Sequence, residues 1–158
     1  MNSMKLLQEY SAGQRNFRNA YCHQIDLNGA NLSQIDWSEA DLSQADLSRT
    51  NLHGANLSCA NLTDADLNQA DLRSANMSQV NLIGADLRGA KLGRANLKGA
   101  DLRCANLSNA DFSGTCLDGA ELSGADLSGA NITQAELSQT AQHSGESHQW
   151  VSWAGSHK

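Results

Sequence analysis

Proline is absent from this 158-residue chain, and only seven of its residues are aromatic. A missing proline removes the residue that breaks backbone ladders, which suits a continuous hydrogen-bonded architecture. So few rings exclude a conventional globular core, since the apolar content is mostly Leu and Ala; the interior must be thin, long and filled by small side chains. Positive charge is also scarce: eleven Lys and Arg against seventeen Asp and Glu give a formal charge of −6. Generic nucleic-acid binding wants a basic excess, so nucleic acid is an unlikely partner. No apolar run approaches membrane length, and the start, MNSMKLLQEYS, lacks the stretch a signal peptide needs. The expectation is a cytoplasmic protein with no membrane contact. Asn31, Asn56 and Asn106 look like glycosylation acceptors only because Asn-Leu-Ser is a by-product of the repeat described next.

From residue 40 the chain reads ADLSQ ADLSR TNLHG ANLSC ANLTD ADLNQ. Leu recurs every fifth residue, preceded by Asp or Asn, which is preceded in turn by Ala. This register runs unbroken from Arg15 to Gln139, twenty-five units. A helix needs apolar spacings of three and four, and a plain strand needs alternation. A period of five gives in-out-in followed by two polar residues, a very short strand and then a turn. Gly at 29, 54, 84, 89, 99, 114, 119, 124 and 129 occupies the second polar position. There it suits the third residue of a type II turn, which needs positive φ. One bend per unit closes a four-sided coil every twenty residues.

These units resemble the pentapeptide-repeat family, whose motif is A-(D/N)-L-x-x, and the match covers about four-fifths of the chain. The resemblance implies an all-β, right-handed quadrilateral β-helix of about six coils. The opening LLQEYSAGQRNF is similar to the N-terminal cap of short members common in photosynthetic bacteria. The organisation expected is a capping helix in 1–14, the repeat solenoid in 15–139, and a polar tail or cap in 140–158. Residues 4–12 read as the helix, with Ser3 as its N-cap and Gly13 just past its end. Leu6, Leu7 and Tyr10 would lie over the open mouth of the solenoid, where Phe17, Ile25, Ile35 and Trp37 supply wider side chains. In the tail, Trp150, Val151 and Trp153 are the bulky groups that could cover the last coil.

Residues twenty apart stack in four columns, of which the first holds Phe17, Trp37, Leu57, Met77, Leu97, Leu117 and Leu137. A shaft filled in this way leaves no pocket, and catalysis needs convergent groups in one. His23 and His53 point outward in different coils, and His143, His148 and His157 lie in the tail without metal-ligand spacing. Cys22 sits inward; Cys59 and Cys104 fall at turns and Cys116 outward, never in adjacent coils of one face, so all four are expected reduced. The acyltransferases built on a left-handed β-helix have a period of six, not five. No enzyme activity, cofactor or metal is expected.

Charge is banded along the rod. Residues 26–71 carry −7, residues 73–103 carry +4 through Arg73, Arg88, Lys91, Arg94, Lys98 and Arg103, and residues 111–136 carry −5. Asp26, Asp46, Asp66, Asp86 and Asp126 form one outward column, broken by Asn106. Like charges about 4.8 Å apart repel by about 1 kcal/mol even in water, so the stripe is expected to cost stability and is a candidate recognition face. Drift between Asp and Asn within a repeat is the plain alternative. Lys91, between Asp71 and Asp111, would relieve the charge of its own column. These acidic and basic residues are the candidate partner-binding surface, and another protein is the expected partner of a monomer or weakly end-to-end associating rod. The resemblance also implies a second reading. Some family members mimic DNA and occupy a type II topoisomerase (gyrase), although the basic belt here would repel that enzyme's positive saddle.

Overall fold

The computed structural model describes residues 1–141. The chain stacks on itself with a coil of twenty residues: parallel bridges join each residue before a central Leu to the one twenty positions on, from Asn16 with Asp36 to Asp111 with Asn131. Four such ladders define four faces. Face one begins at Asn16, face two at Tyr21, face three at Asp26 and face four at Asn31.

The local reason for the bend lies in the two residues after each central position. In every unit from Phe17 to Ala130 the first residue after the turn donates its amide to the central carbonyl, as in Ala30 N to Leu27 O at 3.0 Å. The residue before it adopts positive φ, as type II geometry requires. Fourteen of these positions carry a side chain, among them Arg49 at φ 57° and Cys59 at φ 59°. Glycine is therefore convenient at this corner and not obligatory, because the ladder above and below holds the turn whatever residue fills it.

The inward side is sealed. The central residues from Leu32 to Phe112 and the Ala before each strand are essentially without solvent exposure, and Trp37, the widest, is fully buried. The indole Nε1 of Trp37 has no hydrogen-bond partner. Thr50 and Thr115 take the place of Ala and satisfy their hydroxyls on the carbonyls of Leu47 at 2.6 Å and Leu92 at 2.7 Å.

Among the described residues two short helices flank the ladders. The first, α1 (Ser3–Ser11), begins one residue earlier than its sequence suggests, because Asn2 and not Ser3 is the N-cap: its side chain accepts from the Lys5 amide at 2.8 Å. Its end is a Schellman arrangement, Gln14 N to Glu9 O and Gly13 N to Tyr10 O, with Gly13 at φ 102°. Leu6 is fully buried, and Leu7 and Tyr10 pack against the core, so the helix lies over the shaft.

The second, α2 (Gln134–Leu137), lies within the last expected units of the repeat. Residues 135–139 fit the five-residue register, yet they do not form a strand and turn. Thr133 and Glu136 make a capping box, the hydroxyl accepting from Glu136 N at 3.0 Å and the carboxylate from Thr133 N at 2.8 Å. That reciprocal pair favours a helical turn over a twenty-fifth unit. Beyond it the chain rejoins the ladder, with Ala141 N donating to Ala120 O at 2.8 Å. The expected role of the remaining tail, with its two Trp, lies outside the described residues.

Candidate partner-binding surface

The residue before each central Leu is Asp or Asn for a local reason. Its Oδ1 accepts the backbone amide two residues on, for example Asp46 from Ser48 at 3.1 Å and Asn106 from Ser108 at 3.1 Å. Either residue type supplies that oxygen, which explains their interchange within the repeat. At several of these positions a following Ser adds a second bond from its hydroxyl to the same oxygen: Ser48 to Asp46 and Ser128 to Asp126, both at 2.6 Å.

This geometry revises the acidic stripe. Face three does stack Asp26, Asp46, Asp66, Asp86, Asn106 and Asp126 in consecutive rungs. The Ser48 hydroxyl holds the Asp46 carboxyl below its ordinary pKa, and the Ser128 hydroxyl does the same for Asp126. At Asp86 burial works upward, but hydrogen bonds and charge from Arg88 outweigh it and the pKa again falls. At these three rungs the ionised carboxylate is thus supported by its own turn. Their negative charge faces outward all the same.

The basic belt is a ring and not a patch. Arg73, Lys91 and Arg94 belong to face four, Arg88 to face three, Lys98 to face one and Arg103 to face two. Three of the six fold back on the carboxylate two residues earlier. Arg73 to Asp71, Arg88 to Asp86 and Arg103 to Asp101 each close at 2.7 Å, with about half of each Arg side chain exposed. Exposed pairs of this kind contribute little stability, about 0–1 kcal/mol, but they halve the belt's uncompensated charge. Among the described residues no carboxylate lies within ion-pair distance of Lys91, Arg94 or Lys98, although Lys91 sits in the ladder between Asp71 and Asp111.

Corner residues interlock between coils. Gln34, Gln69 and Gln79 each drape over the glycine one coil above, Gly54, Gly89 and Gly99, occupying the space a Cβ there would take. Face two carries a polar relay at His23, for which the register predicts only an outward position. His23 is half-buried; its Nδ1 meets the Ser43 hydroxyl at 2.8 Å, and that hydroxyl donates to Asp41 at 2.6 Å. The signal was present, since His23 and Ser43 are one coil apart. The carboxylate orients the serine rather than the imidazole, the reverse of what an activated hydroxyl needs. His53 is exposed, and the four thiols are free, Cys22 buried and Cys59 and Cys104 exposed. Among the described residues no three His, Cys, Asp or Glu side chains are placed to hold a metal ion, and no helix is long and apolar enough to cross a membrane.

The family model for pentapeptide repeats matches in eight copies that together span residues 16–140. Among solved structures, HetL, a pentapeptide repeat protein involved in heterocyst differentiation regulation from the cyanobacterium Nostoc, is 28% identical. The match covers 84% of this chain and 95% of that one, with a TM-score of 0.35. Full-length QnrB1, a plasmid-mediated fluoroquinolone resistance protein, is 16% identical with a TM-score of 0.50, over 88% of this chain and 91% of that one. A pentapeptide repeat protein of the Arabidopsis thaliana thylakoid lumen is 33% identical over 59% of this chain and 65% of that one, with a TM-score of 0.31. No curated protein matches the chain.

Proposed function

The chain belongs to the pentapeptide-repeat family, and from that premise we propose that it is a non-enzymatic docking module whose walls bind another protein. One observation carries this reading: the shaft is filled by fully buried side chains, so recognition chemistry is confined to outward side chains of fixed spacing. The wall favoured is face three, where Asp26, Asp46 and Asp66 stand in successive coils with only the single Arg49 among them. A complementary basic surface on the partner would meet three charges at ladder spacing. The right-handed winding of about six coils, a solenoid over 15–139 and a cytoplasmic chain that is a monomer or weakly associates end to end belong to the same reading.

Asp46→Asn with Asp66→Asn tests it, because Asn retains the Oδ1 acceptor that the turn uses and removes only the charge. Capture from native extract should retain a protein on the wild-type chain that the double variant releases. Equal retention by both would remove face three as the docking wall. The gyrase reading requires a continuous negative rod, and the ring from Arg73 to Arg103 interrupts it; titratable inhibition of supercoiling by the purified chain would reinstate that reading.

A further inference from the structure

In every coil after the first, the backbone groups that point toward the N-terminal end pair with the coil below. Asp46 N donates to Ile25 O at 2.8 Å, and Asp46 O accepts from Leu27 N at 2.9 Å. Among the described residues only α1 lies below the first coil, and it satisfies only part of that edge. The N-terminal ammonium donates to Tyr21 O at 3.0 Å on face two, and the Tyr10 hydroxyl donates to Ser33 O at 2.7 Å on face four. Gln14 takes the Asn16 amide on face one. Between these anchors, the amides and carbonyls of Asp26 and Asn31 and the carbonyl of Asn28 have no partner among the described residues. All three residues are exposed. A shallow groove runs beside this stretch, walled by Leu7, Tyr10 and Ser11 of the helix, by Arg15, whose guanidinium lies over the Tyr10 ring, and by Asn28 to Asn31 of the coil.

An unpaired strand edge is a template for another strand. We infer that the edge from Asp26 to Asn31 accepts one segment of a partner protein that follows the corner, pairing under Asp26 and again under Asn31, and bearing Lys or Arg where it passes under Asp26. Charge selects that side chain. The segment would extend the column Asp26, Asp46, Asp66, and this fold already accommodates a cation at the same position, Lys91 between Asp71 and Asp111. A glycine where the segment turns under Gly29 would meet no obstruction, since nothing lies within 4 Å of the position a Gly29 Cβ would take. A second copy stacked end to end is disfavoured because α1 covers the shaft, with Leu6 fully buried. This site is the edge of the rod and not a wall, so it stands or falls separately from docking on face three.

The test uses the full chain and a labelled peptide, Thr-Lys-Ala-Ser-Gly-Thr-Asn-Thr, beside its Lys-to-Glu counterpart and a backbone N-methylated form. The Lys peptide should bind with a dissociation constant below about 1 mM and slow amide exchange at Asp26 and Asn31. The Glu and N-methylated peptides should bind at least about tenfold more weakly, losing charge and backbone pairing respectively. Asp26→Asn, which keeps the turn acceptor as Asn106 does in the same column, should weaken the Lys peptide about fourfold. No binding, equal binding of Lys and Glu peptides, protection of other amides, or protection that tracks chain dimerisation would each overturn the inference.

Discussion

Replacing Leu72 by Ala probes the sealed shaft most directly. Leu72 is fully buried at mid-rod, stacked between Leu52 and Leu92. Losing its three terminal carbons forfeits the transfer free energy of a buried aliphatic side chain, about 1.5–3 kcal/mol. A cavity term adds to this wherever the surroundings cannot collapse, and measured Leu-to-Ala costs span about 2–5 kcal/mol. Here collapse is restricted, because Leu52 N donates to Asp71 O and Leu72 N to Lys91 O, each at 2.8 Å, fixing the backbone on both sides. The upper half of that range, about 3–5 kcal/mol, is therefore expected. Leu137 provides the internal control: it keeps the five-residue register but lies half-buried on α2, so its Ala variant should lose about 1 kcal/mol or less. Guanidinium denaturation followed by far-UV circular dichroism gives both values. Equal losses at the two positions, or no loss at Leu72, would refute the stacked-column placement.

Trp37→Phe should change stability by less than about 1.5 kcal/mol, since relief of the unpartnered indole N–H offsets lost apolar contact. Trp37→Ala should cost about 3–5 kcal/mol in the same melts. Gly119→Ala meets open space and should cost about 1 kcal/mol for its left-handed backbone alone. Gly54→Ala must also displace the Gln34 amide, so the order of the two midpoints checks the corner packing. Acid should destabilise the rod. Hydrogen bonds from Ser43, Ser48, Arg73 and Ser113 lower the pKa of Asp41, Asp46, Asp71 and Asp111. Their contribution is present above the unfolded carboxyl pKa and fades as pH falls through the lower folded values. A pH series of melts in which Asp46→Asn leaves the acid limb no shallower would contradict the role given to these turns.

The five-residue period by itself determined the inward columns, the four faces and the stacking of residues twenty apart. Burial of a Leu or Ala at fixed intervals allows few other arrangements for a chain with no proline. It also placed Asp26, Asp46 and Asp66 in one column and Lys91 between two aspartates. Tertiary structure decided what those charges do. Asp and Asn interchange because Oδ1 caps a turn, a role visible only once the amide two residues on is seen to point at it. Arg73, Arg88 and Arg103 fold onto the carboxylates two residues earlier, one pair at each Asp-Leu-Arg triplet, a rotamer choice that becomes visible only in the structure. The helical turn at Gln134–Leu137 was also decided by tertiary structure, since the Thr133–Glu136 box favours it while Leu137 keeps the five-residue register. The open edge at Asp26 and Asn31 was likewise invisible in sequence, because it depends on how far Tyr10 and the N-terminal ammonium reach across the first coil.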